Sequence, residues 1–197
     1  MFREDQQAQA KIWFLQQIAF VVLNGSSTKL IKPEAIVLIG RTTENGKSQV
    51  LDMMEGLLPP EAVSSIPPHR FDDDNKMRML IGVGLNTSGE LSTGAIAGDR
   101  FEEAVTGGRL DVRGAYWPEV VQFRPQALQL LAGNKLPPFN GGFDRGVKRR
   151  LAAIDFLRTI PEPERIVDIR KRIAREEPDL LLAWALSAAP HPSRTRL

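Results

Sequence analysis

The sequence predicts an α/β fold, a P-loop core whose largely parallel central sheet is flanked by helices, on three observations. The apolar run AIVLI (Ala35 to Ile39) leads through GRTTENGKS (Gly40 to Ser48) into QVLDMMEGLL, which reads as strand, glycine-bounded loop and helix. Further short apolar runs alternate with longer intervening segments, the spacing of crossover connections and not of an all-β sandwich. A chain of 197 residues with 42% hydrophobic content suffices for one buried core.

Each element follows from local pattern. Ile12, Leu15, Ile18, Ala19 and Val22 recur at helical spacing, so about residues 5–23 form an amphipathic helix ended by Asn24-Gly25. The first strand is 35–39 and the helix behind the loop runs over about 47–57. Pro59-Pro60 and Pro67-Pro68 bracket a short extended segment, and DDDNK makes a polar turn or helix start. MLIGVGLN (Met79 to Asn86), ALQLLAGN (Ala127 to Asn134) and LAAIDF (Leu151 to Phe156) are the next strands. PERIVDIRKRIAREEPDLLLAWALSAA reads as two helices, the second starting near Pro178, and HPSRTRL as a frayed tail. This divides the chain into an N-terminal helical segment (1–30) packing on the core, the core itself (31–160), and C-terminal helices with the tail (161–197).

Composition removes several chemistries. There is no cysteine, which excludes disulfides, thiolate catalysis and Cys-based zinc sites, and only His69 and His191 offer imidazole ligands. The N-terminus lacks both a signal-peptide pattern and a membrane-length apolar run, so a cytoplasmic protein with no membrane partner is expected. Net charge is +2, but Arg145 to Arg175 holds ten basic and four acidic residues. Such a run faces either phosphates or, more often, solvent.

The chemistry concentrates at the loop. Gly40, Asn45 and Gly46 allow backbone N–H groups to turn towards a polyphosphate, Lys47 reaches the β/γ-phosphates and the Ser48 hydroxyl ligates Mg²⁺, which makes ATP and Mg²⁺ the expected ligands. Five residues separate Gly40 from Gly46, one more than the usual pattern. Asn45-Gly46 would also suit an ordinary turn. Hydrolysis needs an acid beside the metal, a role open to Glu90 just past the second apolar run, unless it is a solvated turn residue. Asn134, after QLLAG, stands where a residue sensing the γ-phosphate or holding water is required, although an Asn also suits the turn before Leu136-Pro137-Pro138. Arg145, Arg149 and Arg150 lie between a Gly-rich turn and a strand, where a guanidinium could reach a neighbouring subunit's γ-phosphate or be plain surface charge.

In this order the motifs VLIGRTTENGKSQVLDMMEGLLP, SSIPPHRFDDDNKMRMLIGVGLNTSGELS and FRPQALQLLAGNKLPPFNGGFDRGVKRRLAAIDF resemble the helicase domain of phage and plasmid primase-helicases, members of the superfamily-three helicases. The resemblance runs from about Phe14 to Trp184. It implies an AAA+-like core that forms a homo-oligomeric ring, usually of six subunits, hydrolyses ATP between subunits and moves along DNA, single-stranded or forked. Gly46, Lys47 and Ser48 would form the nucleotide loop, Glu90 the Walker B acid, Asn134 the sensor, and Arg149 or Arg150 the finger. A DNA-binding hairpin would be supplied by FEEAVTGGRLDVRGAYW (Phe101 to Trp117), with Arg113, Tyr116 and Trp117 towards DNA. The chain departs from its relatives at Glu102, where they tend to have Lys, at Gly108, where they have an acidic residue, and at Arg41, where they often have Pro. Relatives are also longer, with a priming domain upstream, so the chain is expected to be a fragment, a stand-alone motor domain or a prophage remnant. Two other functions fit the motifs: a nucleotide-binding remnant or ring subunit without productive hydrolysis, and a P-loop kinase acting on a small molecule.

Overall fold

The structure, a computed structural model, describes residues 1–25, 27–29, 32, 34–91, 94–114 and 117–188. The expected tail lies outside the described residues. Helix α1 (Ala8–Leu23) precedes β1 (Ala35–Ile39), the phosphate-loop candidate and α2 (Lys47–Glu55). There follow β2 (Val63–Ser64), α3 (Asp74–Met77), β3 (Leu85–Ser88), α4 (Gly98–Thr106) and a hairpin of β4 (Leu110–Gly114) and β5 (Trp117–Phe123). The chain continues through β6 (Leu128–Gly133), α5 (Arg145–Lys148), β7 (Leu151–Asp155), α6 (Ile169–Glu176) and α7 (Leu180–Leu186).

The predicted α/β class is what is found: a five-stranded sheet in the order β2-β3-β6-β1-β7, with every pairing parallel. Such strands are covered on both faces and read as continuous apolar runs. Alternation then divides β1. Ile36 and Leu38 join Leu15, Ile18 and Val22 of α1, Val50 and Met54 of α2, and Ala185 of α7 in one core. Ala35 and Val37 turn the other way, onto Phe71, Met77, Phe101 and the hairpin residues Leu110 and Val112. In α1 the expected stripe is buried except for Ile12, which is exposed.

A polar network sits inside the second layer. Asn86 on β3 is fully buried; its carbonyl accepts from Ser64 Oγ (2.7 Å) and the Ile66 N–H (2.8 Å), and its amide donates to Ile66 O (3.0 Å) and Gln129 Oε1 (2.8 Å). These bonds fix the two-residue strand β2 to the sheet. Replacing Asn86 by Ala leaves several buried groups without partners, and urea denaturation is expected to show a loss of about 2–4 kcal/mol.

Two expectations are corrected. Met79 to Gly84 is not strand: the Asp73 side chain accepts from the Asn75 N–H (3.0 Å) and starts α3, helical turns continue to Leu80, and Gly82 at φ 75° redirects the chain, so Met79 and Ile81 are exposed and β3 begins only at Leu85. The proposed hairpin segment is half helix. Phe101, Ala104 and Val105, one helical turn apart, are buried on α4. Gly107 at φ 69° ends that helix, and the hairpin lies at 110–123. No helix among the described residues is long and apolar enough to cross a membrane.

Candidate functional site

The C-terminal ends of three adjacent parallel strands meet at one cavity of about 460 Å³, lined by residues 42–49, 89–91 and 133–135. This is where open α/β sheets place ligands. The loop 40–46 follows β1, Glu90 stands two residues beyond β3, and Asn134 directly follows β6, which lies between the other two strands. The three segments are bonded to one another. The Gly40 N–H donates to Gly133 O (3.1 Å) and the Leu91 N–H to Ala132 O (2.9 Å). Gly133 is required there, since a Cβ would stand 2.9 Å from Leu91 Cβ. Glu90 and Asn134 are both exposed to the cavity. Lys135 shares it, a cation absent from the sequence-based reading that its place beside Asn134 could have suggested.

The loop closes around its own lysine. Lys47 is 9% exposed, and its ammonium donates to Gly40 O (3.1 Å), Asn45 Oδ1 (3.0 Å) and Thr42 O (3.4 Å). All three acceptors are neutral, and burial lowers the Lys47 pKa below its ordinary value. Asn45 is buried at 2% exposure and also donates to Thr42 O (2.7 Å). Gly40 admits no side chain: a Cβ would collide with Asn45 Nδ2 and stand 2.9 Å from Lys47 Nζ and from Phe156 O. Gly46 caps α2 at φ 93°. The first helical bond runs from the Val50 N–H to Gly46 O (3.1 Å), which leaves the N–H groups of Lys47, Ser48 and Gln49 at the positive end of the helix dipole. Gln49 lines the same cavity and its buried Oε1 has no partner. A desolvated cation, free amides and an unpartnered carboxamide fit a polyphosphate with a bound divalent cation. Ser48 and Glu90 are the residues that would hold the metal.

Arg149 and Arg150 lie elsewhere. They precede β7, whose first residue pairs with the first residue of β1, so they stand at the opposite end of the sheet from the loop, about five strand residues or roughly 16 Å away. The Arg150 backbone carbonyl accepts from the Ala35 N–H (2.8 Å), and its Nε donates to Glu102 Oε2 (3.0 Å). Glu102 is thus a residue of α4 that pairs with Arg150, not a residue of the hairpin. Arg149 is exposed, with no ion pair among the described residues.

The basic run 145–175 is largely consumed within the chain. Seven of its ten cations pair with carboxylates: Arg150, Arg158, Arg165, Arg170, Lys171, Arg172 and Arg175. On the hairpin, the Arg113 N–H donates to Asp74 Oδ2 (2.9 Å) and its side chain is exposed. Tyr116 lies outside the described residues, and Trp117 opens β5.

No family model and no curated protein matches the chain. Among solved structures, the apo structure of the NrS-1 C terminal region is similar over 97% of this chain at TM-score 0.66 and 17% identity. The chain spans 43% of that region. A ligand-bound crystal structure of JCV helicase is matched over 89% of the chain and 51% of its own at TM-score 0.45 and 14% identity, too remote a likeness to carry an argument. The fold is therefore shared with the NrS-1 C terminal region.

Proposed function

We propose that the chain is an ATP-dependent DNA helicase motor domain of the primase-helicase type, which hydrolyses ATP between the subunits of a ring. The observation that carries this reading is the single cavity uniting the loop of Lys47 and Ser48, the acid Glu90 and the amide Asn134, each from the C-terminal end of a different parallel strand. Lys47 and the amides of α2 bind the phosphates, Glu90 orients and polarises water, and Asn134 between them holds the water or reads the γ-phosphate. Ser48 and Glu90 would hold Mg²⁺, which would supply Lewis-acid stabilisation to the phosphoryl oxygens. Arg149 or Arg150, remote from their own loop, acts on a neighbour's γ-phosphate, and exposed Arg113 on the hairpin meets DNA phosphates.

One observation favours a second reading, a ring subunit that binds nucleotide without productive hydrolysis: Arg150 is already engaged by Glu102 at 3.0 Å. A small-molecule kinase gains no support from a pair of arginines at the far end of the sheet.

Single-turnover ATP hydrolysis with and without single-stranded DNA, together with a measured oligomer mass, separates these readings. Stimulation by DNA in an oligomer supports the motor, and binding without turnover supports the second reading. The trans contact has its own test. An Arg149→Ala, Arg150→Ala double variant and a Lys47→Ala variant are each expected to be inactive, and mixing them creates interfaces with one intact loop facing one intact finger. Activity should partly return. Two proteins that co-assemble and stay inactive at every ratio would remove the arginines from the catalytic site.

A further inference from the structure

The loop is one residue longer than the usual phosphate-binding pattern, and it contains a residue with a Cβ in an uncommon conformation. Glu44 sits at φ 58°, left-handed backbone that a residue with a Cβ adopts only when its surroundings hold it there. Those surroundings come from a segment far along the chain. After β7, residues 158–165 run across the outside of the loop. The Ile160 N–H donates to Glu44 O (2.9 Å), and Arg165 grips the Glu44 carboxylate with both guanidinium nitrogens, Nη1 to Oε1 and Nη2 to Oε2, each at 2.6 Å. Arg165 Nε donates back to Ile160 O (2.9 Å), so one peptide and one side chain of the segment hold one residue of the loop from two directions. Thr159 Oγ1 adds a bond to Thr42 Oγ1 (2.9 Å). The segment is itself braced: Arg158 makes paired bonds to Glu164 at 2.8 and 3.0 Å, and Pro161 and Pro163 restrict its backbone.

We infer that residues 158–165 form a strap that sets the conformation and the charge of the phosphate loop, with Arg165 as a positioning residue for triphosphate binding. This rests on the nucleotide-site reading given above. Two effects act together. The strap holds Glu44 in its left-handed conformation, which keeps Asn45 and Gly46 aligned with α2. It also neutralises the carboxylate of Glu44, a residue that lines the cavity, where a bare negative charge would repel an anion. A bidentate guanidinium suits both tasks, which a lysine at this position would serve as a point charge only.

The inference predicts dependence on Arg165 only while Glu44 is present. Arg165→Ala is expected to weaken ATP binding about tenfold, the equivalent of about 1.4 kcal/mol, raising KM with little change in kcat. Glu44→Gly removes both the carboxylate and the backbone strain. In that background Arg165→Ala should cost less than twofold, and Glu44→Gly alone should bind at least as well as the wild type. Amide hydrogen exchange of residues 42–46 without nucleotide judges the strap separately and should quicken in Arg165→Ala while the melting temperature holds. Unchanged exchange overturns the strap. Faster exchange with unaltered affinity overturns its role in binding, as does an equal penalty in the Glu44→Gly background. A wild-type protein that binds no triphosphate refutes the nucleotide-site reading and with it Arg165's role there, while the exchange result still decides whether the strap exists.

Discussion

Lys47→Ala is expected to abolish triphosphate binding, with an affinity loss of a hundredfold or more in a nucleotide titration. The ammonium is buried among the carbonyls of Gly40 and Thr42 and the amide oxygen of Asn45, with no carboxylate among these partners to balance it. A cation held in this way lacks a counter-charge until an anion arrives. A phosphate placed there gains a charge-assisted bond in a partly desolvated site, where such bonds are stronger than in water. The same arrangement predicts that the fold survives the substitution. Because burial lowers the Lys47 pKa, the charged form is disfavoured in the folded state, and that penalty applies at every pH below its folded pKa and fades as pH rises towards the unfolded value. Removing the side chain relieves the penalty and offsets the three lost hydrogen bonds. The melting temperature should stay within about 4 °C, the shift that roughly 1 kcal/mol gives a chain of this size. Wild-type affinity in the variant would exclude the nucleotide site.

Glu90→Gln is expected to leave ATP affinity within about threefold and to lower turnover by two orders of magnitude or more, the scale of a lost general base. Glu90 is exposed at the cavity rim and takes no part in closing the loop, so the amide keeps the shape of the site. What disappears is the charge that polarises water. Stopped-flow binding and single-turnover hydrolysis separate the two steps. Turnover at the wild-type rate would take Glu90 out of the reaction and turn attention to the groups beside it, Ser88 and Asn134.

The parts of the site legible in the sequence are those written in one stretch of chain. AIVLI followed by GRTTENGKS fixes a strand, a loop and a helix start because apolar burial, glycine conformation and helix initiation all act within a few residues. Glu90 and Asn134 were readable because a polar residue immediately beyond a buried strand has few places to go. The apolar content of Met79 to Gly84 misled, since it does not reveal that the Asp73 cap has already committed the chain to helical turns. The helical spacing of Phe101, Ala104 and Val105 was there to be read, as was the alternation of Leu110 and Val112 that marks the hairpin. The strap was beyond reach: Glu44 and Arg165 lie 121 positions apart, and no local pattern announces a pair at that distance. For the same reason the basic run gave no sign that Arg150, Arg165 and Arg170 had partners far along the chain.

The sheet's two margins bear on how this chain could associate with copies of itself. An open parallel sheet ends in backbone groups able to recruit another strand, and strand-to-strand growth of that kind has no natural stopping point. One margin here is β2, only two residues long and held by the side chain of Asn86. At the other, the carbonyl that ends β7, that of Asp155, already accepts from Lys11 Nζ at 2.7 Å. The β2 margin offers no template of useful length, and the β7 margin has its last carbonyl engaged. At the β2 margin, any association between copies would have to proceed through side-chain surfaces and not by extension of the sheet.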